Sequence, residues 1–499
     1  MDRLTIPLPT GVACASPDAT LVERGEGYAL IRSSRLAVLH GCAEGQFYRS
    51  GHNSWSPSGW NDLAGAPLRI PTPDERRSTA DDPTADDTVR HHGSWMGAVV
   101  DEVDGSGVLV GALEGGHPRV RADEDHLAAF DETRPALWLL AWGSEASIFD
   151  AYVRFLSDRA RTPGRAPRVW CSWYSYYEKV SWDVLSGQLP GLAQLGFDTL
   201  QIDDGWQKGV GDWRANEKFG EDLGARASDI AALGVTPGVW VAPFIARPGT
   251  PFLTEHPEAF VHAPSGELAI AGYNWGGPYY ALDTTHPLAQ EYLRDLARSL
   301  VDAGIGYVKA DFVNAAAIDG VRYDADVTGD DAYVIGSRLL REALGDDVYL
   351  LGSGALIIPS IGIYDGIRVG CDVAPIWKNY ATEDRSDAEA RNAFMTSVAR
   401  LWLRPLIDCD PDVVFFRHMK NLLGDREISW LQDAAAVAGF KSSSDPLEWL
   451  TEQERSEVAQ WLARREAVEV VGRTRFRLDG RDVDFAPGLE EPEHCYPVS

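Results

Sequence analysis

The chain is 499 residues long and 44% hydrophobic, a size that predicts one large core with one or two attached modules and excludes a small disulfide scaffold. Asp and Glu number 75 against 46 Lys and Arg, a formal charge of −29, which excludes nucleic acid and anionic membranes as partners. Six dispersed cysteines (Cys14, Cys42, Cys171, Cys371, Cys409, Cys495) contain no CxxC pair, so neither structural zinc nor a disulfide lattice is expected, and a reducing compartment fits.

The N-terminus, MDRLTIPLPTGVACAS, has no basic segment leading into an apolar one, and no run of about 18 apolar residues follows, so a soluble cytoplasmic protein is expected. Residues 1 to about 145 read as an all-β module. Alternating runs at 28–38, 108–113 and 136–142 are separated by Gly, Pro and Asp turns, which predicts a β-sandwich. The acidic stretch 79–87 (TADDPTADD) lacks the Gly turn and terminal Glu of a calcium loop and is expected to be a solvated loop. A helical pattern at 147–160 ends in RTPGRAPR, a linker that sets the first boundary near residue 162.

From Val169 onward β-rich runs alternate with amphipathic helices. Strands are predicted at 169–175, 197–206, 236–244, 307–313, 348–354, 367–373 and 403–409, with an ill-defined eighth within 434–443. Eight strands over about 275 residues predict a (β/α)8 TIM barrel. One crossover helix is clear, with Thr285 as its cap, Leu288, Tyr292, Leu296 and Leu300 at spacing four, and Gly304 at its end. The last residues, from about 464, predict two or three strands. The expected fold is therefore multidomain α/β and β: an N-terminal β-sandwich with linker helix (1–162), a central barrel (163–463) and a short C-terminal β appendage (464–499).

Barrel enzymes carry their chemistry at the C-terminal ends of the strands. Asp203, Asp204, Asp311, Asp372 and Asp408 each follow an apolar run there. One such Asp is readily a turn or a helix cap; five on one barrel point to a site. Residues two apart share a strand face, so Lys309 should lie beside Asp311, and Arg368 beside Asp372. A cation lowers a carboxyl pKa and suits a nucleophile that must stay ionised, whereas a general acid needs burial or a second carboxylate. Strands four and six can present their carboxyls across the barrel mouth, the constellation of glycoside hydrolysis.

Tryptophan is abundant at 17 residues, and its flat face covers the C–H face of a sugar ring. Trp173, Trp206 and Trp240 fall near one rim, with core packing the competing use of each. Trp206 and Trp213 are the most exposed by context.

The motifs CSWYSYY, QIDDGWQ, GDW with KFG, GVWVAPF, YVKADF and RVGCDVAPIW, in that order, resemble the retaining α-galactosidases of glycoside hydrolase family 36. SSSDP near Asp445 resembles the family's eighth-strand motif, so the likeness covers roughly residues 168–445. It implies that Asp311 is the nucleophile and Asp372 the general acid/base. It implies further that Asp203 and Asp204 bind the 4- and 6-hydroxyls, that Trp240 packs near C6, and that Lys309 and Arg368 hold ring hydroxyls. GHNSWSPSGW resembles the loop that family members lend to the pocket, which makes Trp55 a candidate, with a core position equally open. Ser353, between Gly352 and Gly354, and Cys371 are expected to line the wall.

The expected activity is hydrolysis of terminal α-D-galactosyl residues by double displacement, with carboxyls roughly 5 to 5.5 Å apart and without metal or organic cofactor. The same mechanism serves a β-L-arabinopyranosidase, an α-N-acetylgalactosaminidase, an α-glucosidase or a transglycosylase, depending on the walls near C2 and C6. A non-catalytic sugar-binding protein and a carboxylate-bound Mg²⁺ or Mn²⁺ enzyme are the rivals from other classes; Lys309 and Arg368 would compete with such a metal. A homo-oligomer stays open, because the long insertions of tetrameric relatives are missing.

Overall fold

Residues 5–144 build two antiparallel sheets, of six and seven strands, in the computed structural model, which describes every residue except 1–3, 10, 43, 71–80, 83–86 and 491–499. The alternating run at 28–38 becomes two strands, Tyr28–Ser33 and Arg35–His40, one in each sheet. Strict alternation of buried and exposed residues along Arg35–His40 is what a half-buried strand requires. Helix α1 (Glu145–Ser157) starts at the Ser144 cap and lays Ile148, Tyr152 and Leu156, spaced four apart, on the seven-stranded sheet.

The next sheet is wholly parallel: β1 (Val169–Cys171), β2 (Thr199–Ile202), β3 (Thr236–Val241), β4 (Tyr307–Ala310), β5 (Tyr349–Gly352), β6 (Gly366–Arg368), β7 (Asp408–Asp410) and β8 (Ser442–Ser443). It curls like a barrel, since β8 pairs with β1 and Val414 bridges Ser443 beyond β7. Every expected run overlaps a strand, but the strands are shorter than the apolar runs suggest, β6 and β7 each reach one residue beyond their runs, and residues 434–438 of the eighth run belong to the helix Asp425–Ala438. Trp173 is not in β1; it opens the short helix Trp173–Tyr176.

Among the covering helices, α2 (Pro287–Asp302) buries Ala289, Leu293, Leu296, Ala297 and Leu300. Its cap is His286, not Thr285, whose hydroxyl donates to Asp283 instead. Helix α3 (Gly329–Leu344) is capped by Thr328, and α4 (Ala390–Ala399) packs against the C-terminal segment. That segment has three strands, Val468–Val470, Arg475–Leu478 and Arg481–Asp484, and Arg473 ties it to Glu145 of α1 at 2.6 Å.

A charged cluster joins the N-terminal sheets to α3. Asp330 Oδ1 lies 3.0 Å from both His52 Nε2 and His117 Nδ1, and Trp95 Nε1 donates to its other oxygen at 2.8 Å. His117 Nε2 faces Asp82 at 2.8 Å, and Arg119 donates to the same carboxylate. Both ring nitrogens of His117 thus meet carboxylates, which calls for a proton on each. This corrects the solvated-loop expectation for two residues: Asp81 and Asp82 are 5% exposed, and Asp81 pairs with the buried Arg49. Most of the remaining stretch lies outside the described residues, as does Cys495. The other five cysteines are free thiols. No described helix is long and apolar enough to cross a membrane.

Candidate active site

Asp203, Asp204 and Asp311 all sit one or two residues past the ends of β2 and β4, where the strands stop and the chain turns over the mouth of the sheet. Burial holds each below a tenth exposed. Buried carboxylates require partners, and each of the three has a different set.

Asp311 Oδ2 accepts from Trp240 Nε1 at 2.9 Å, and Oδ1 from the backbone N–H of Phe312 at 2.8 Å. Burial pushes its pKa up; the charge of Lys309 opposes this, Asp372 adds to it, and Trp240 and the Ser353 hydroxyl favour ionisation. The net direction is upward, so desolvation outweighs the neighbouring cation, contrary to the sequence expectation. Lys309 does share the face of Asp311, yet its ammonium bonds Asp203 Oδ2 at 3.1 Å. Gln201 Nε2 and the Cys171 thiol donate to the same oxygen, and the Ser172 hydroxyl holds the Asp203 N–H.

The adjacent Asp204 turns the other way. It accepts from Trp275 Nε1 at 2.7 Å and Gln207 Nε2 at 2.6 Å, and burial raises its pKa to about 6. The DDG turn therefore presents two carboxylates with separate supports, which a regular strand could not do.

Across the mouth, β6 ends at Arg368, which is 1% exposed. Its Nη2 donates to Asp372 at 3.1 Å, to Asp412 at 2.6 Å and to the Cys371 carbonyl at 2.9 Å. Asp372 is the open member, its side chain 45% exposed. Asp412 is buried and also accepts from the Tyr174 hydroxyl and the Val373 N–H. Its pKa is raised to about 6, burial outweighing Arg368. Neither Asp412 nor Tyr174 was singled out from sequence. Asp408, which was, opens β7 rather than closing it. Its carboxylate takes the Tyr349 hydroxyl and the Gly164 N–H at the opposite end of the sheet.

The aromatics divide. Trp240 is buried with its N–H on Asp311. Trp206 is 0% exposed, and its N–H is used by the Trp240 carbonyl at 2.8 Å, so it braces β3 from behind and has no face for a ligand. Trp213 is half-buried against Trp240. Trp173 is half-buried with its ring against Tyr177. Trp275 is the aromatic that sequence reasoning missed: it tips a hairpin, Ile270–Asn274 with Gly277–Ala281, and contacts Trp240 and Phe312 as well as Asp204. The run YNWGGPYY is a recognisable hairpin signal.

Trp55 comes from the N-terminal sheets and reaches this mouth, its ring 5.1 Å from Phe312. Gly354 makes room for it. That residue has φ +66°, and a Cβ there would lie 3.2 Å from the Trp55 ring and 2.8 Å from Asn314, so conformation and contact both demand glycine. Ser353 is fully buried beside Asp311, whereas the Cys371 thiol turns to the Asp387 carbonyl. Phe312, Asp412 and Trp275 all have positive φ, a concentration of unfavourable backbone typical of working sites.

Two carboxylates of unlike environment, Asp311 dry and Asp372 open, lie close enough for Asp372 to oppose the ionisation of Asp311, with further carboxylates and indoles at the same strand ends. That arrangement can attack and protonate a glycosidic centre. Residues 148–336 match the Melibiase family model. The chain is also similar to an α-galactosidase of Thermus thermophilus solved with p-nitrophenyl α-D-galactopyranoside, at 37% identity and TM-score 0.90 over 98% of this chain and 100% of that one. An Escherichia coli α-galactosidase is 28% identical over 36% of this chain. The α-galactosidase AgaA of Geobacillus stearothermophilus is 28% identical over 34%. The matched segments span 27% and 24% of those two proteins' lengths.

Proposed function

The chain belongs to glycoside hydrolase family 36, the α-galactosidases, and from that premise we propose that it is a retaining, exo-acting hydrolase of terminal α-D-galactosides. The observation that carries the reading is the Asp311 environment: a buried carboxylate aimed by an indole N–H, beside a fixed lysine, opposite an Arg-held Asp372. Asp311 attacks C1 and forms a glycosyl ester while Asp372 gives its proton to the departing oxygen. Asp372, now ionised, takes a proton from water as that water attacks C1, and the Asp311 carboxylate leaves. Asp203 and Asp204 accept sugar hydroxyls, Lys309 and Arg368 donate to others, and Trp240, Trp275 and Trp55 wall the ring.

We read the two N-terminal sheets as a sandwich and the curled sheet as a (β/α)8 barrel, divided near residues 162 and 463; the linker without helix or strand before Val169 and the likeness to the Thermus enzyme support this. Five free thiols support a reducing, cytoplasmic setting.

The test is a rate panel on p-nitrophenyl α-galactoside, β-L-arabinopyranoside, α-N-acetylgalactosaminide and α-glucoside, with NMR of the first-formed anomer. Fast release of α-galactose is expected. First formation of β-galactose, or hydrolysis of none of the four, would overturn the reading.

A further inference from the structure

Arg400 is a buried cation that makes no ion pair among the described residues. It follows the last turn of α4 and is 1% exposed. Its planar fork is saturated with neutral acceptors: Nη1 donates to the Ser54 carbonyl at 2.6 Å and the Val369 carbonyl at 3.0 Å. Nη2 donates to the carbonyls of Asn53 and Ser56, both at 2.8 Å, and Nε to the Ser58 hydroxyl at 3.1 Å. All five N–H groups are used. Four of the acceptors belong to residues 53–58, the loop whose tip is Trp55. The fifth adjoins Arg368 on the strand that leads to Asp372.

Such a site is costly to build, since a charge leaves water without an anion to meet it. It is also specific, because a rigid fork fixes acceptors in a plane as a lysine ammonium cannot. The loop has a second support on its other side. The Ser54 N–H donates to the Ala355 carbonyl at 2.8 Å and the Ile357 N–H to the His52 carbonyl at 3.2 Å. Together they leave the Trp55 ring against Phe312, next to Asp311, and over Gly354.

We propose that Arg400 is a positioning residue for catalysis: it holds the N-terminal loop in the register that puts Trp55 at the rim of the sugar pocket. The proposal rests on the α-galactosidase reading above. Arg400 touches no reacting atom and acts through Trp55.

The test is a double-mutant cycle on p-nitrophenyl α-galactoside with Arg400→Met and Trp55→Ala. Each single variant is expected to lower kcat/KM about tenfold or more, and Arg400→Met added to Trp55→Ala to lower it less than about twofold further. A merely structural arginine would multiply: the double variant would lose the product of the two single effects, and that result overturns the proposal. An unimpaired Trp55→Ala would overturn it equally. Should Arg400→Met not yield folded protein by near-ultraviolet circular dichroism, Arg400→Lys runs the same cycle, keeping the charge and losing the fork. An inactive wild type on all four glycosides would instead refute the activity itself, so the two failures are separable.

Discussion

Replacing His117 by Gln should remove a part of the protein's stability that exists only below alkaline pH. Burial disfavours the charged ring, but Asp330 and Asp82 on its two nitrogens outweigh burial and raise its pKa from 6.5 to about 10. A group whose folded pKa is raised contributes fully below its unfolded value and loses that contribution as pH climbs through the folded one. The window is therefore pH 6.5 to about 10. At about 1.36 kcal/mol per unit the span sets a ceiling near 5 kcal/mol. The ring is 21% exposed and shares Asp330 with His52, so about 2 to 3 kcal/mol is the working expectation after solvent screening. Guanidinium unfolding of wild type and His117→Gln, followed by tryptophan fluorescence at pH 6.5, 8 and 10, reads the difference directly. The wild-type advantage should be largest at pH 6.5 and shrink towards pH 10. An advantage that stays constant, or grows, would refute the doubly protonated bridge.

Asp311→Gly should abolish turnover and regain part of it with azide, which fills the vacated space and yields a β-galactosyl azide detectable by NMR. Asp372→Ala should slow alkyl galactosides far more than nitrophenyl ones, because a good leaving group needs little protonation; the ratio of the two rates is the readout. Trp240→Phe deletes the N–H on Asp311, and a hydrogen bond to a charged group is worth about 1.5 to 3 kcal/mol, so kcat/KM should fall roughly 10- to 150-fold. With one donor fewer the carboxylate is harder to ionise, and the acid limb of the pH profile should move to higher pH. Asp412→Asn removes the second carboxylate on Arg368 and weakens the acceptor of the Tyr174 hydroxyl and the Val373 N–H, so Asp372 loses its fixed setting and alkyl galactosides should suffer most, read as the ratio of alkyl to nitrophenyl rates.

The parallel sheet was legible because its first six strands fall on short apolar runs closed by Gly, Pro or Asp; the seventh and eighth, Asp408–Asp410 and Ser442–Ser443, are polar and only overlap the ends of their expected runs. Strand lengths were not legible, since Trp173 looks strand-like in VWCSWYS yet starts a helix once the chain leaves the sheet. Asp203, Asp204, Asp311 and Asp372 were legible as acids breaking apolar runs. Asp408 obeys the same rule and misleads, because the apolar run before it is the 3-10 turn Leu401–Leu403 and its sequel, not a strand. Asp412 and Trp275 escaped notice because what recruits them is not local: one is held by Arg368, 44 residues back, the other by Asp204, 71 residues back. The His52–His117–Asp330 cluster joins residues that sequence proximity cannot relate. Trp206 failed for the opposite reason: its exposed-looking DDGW context folds under β3.

The indole of Trp206 props Trp240, whose own indole aims Asp311, so the carboxylate we propose as nucleophile is steadied from the protein's interior. The surfaces proposed to face a sugar hang instead on a hairpin tip, a loop from the N-terminal sheets and a glycine turn. A library of substitutions at Trp275 and Trp55 can therefore explore new sugars while leaving the direct supports of Asp311 in place, whereas a change at Trp206, out of any ligand's reach, would degrade every substrate alike.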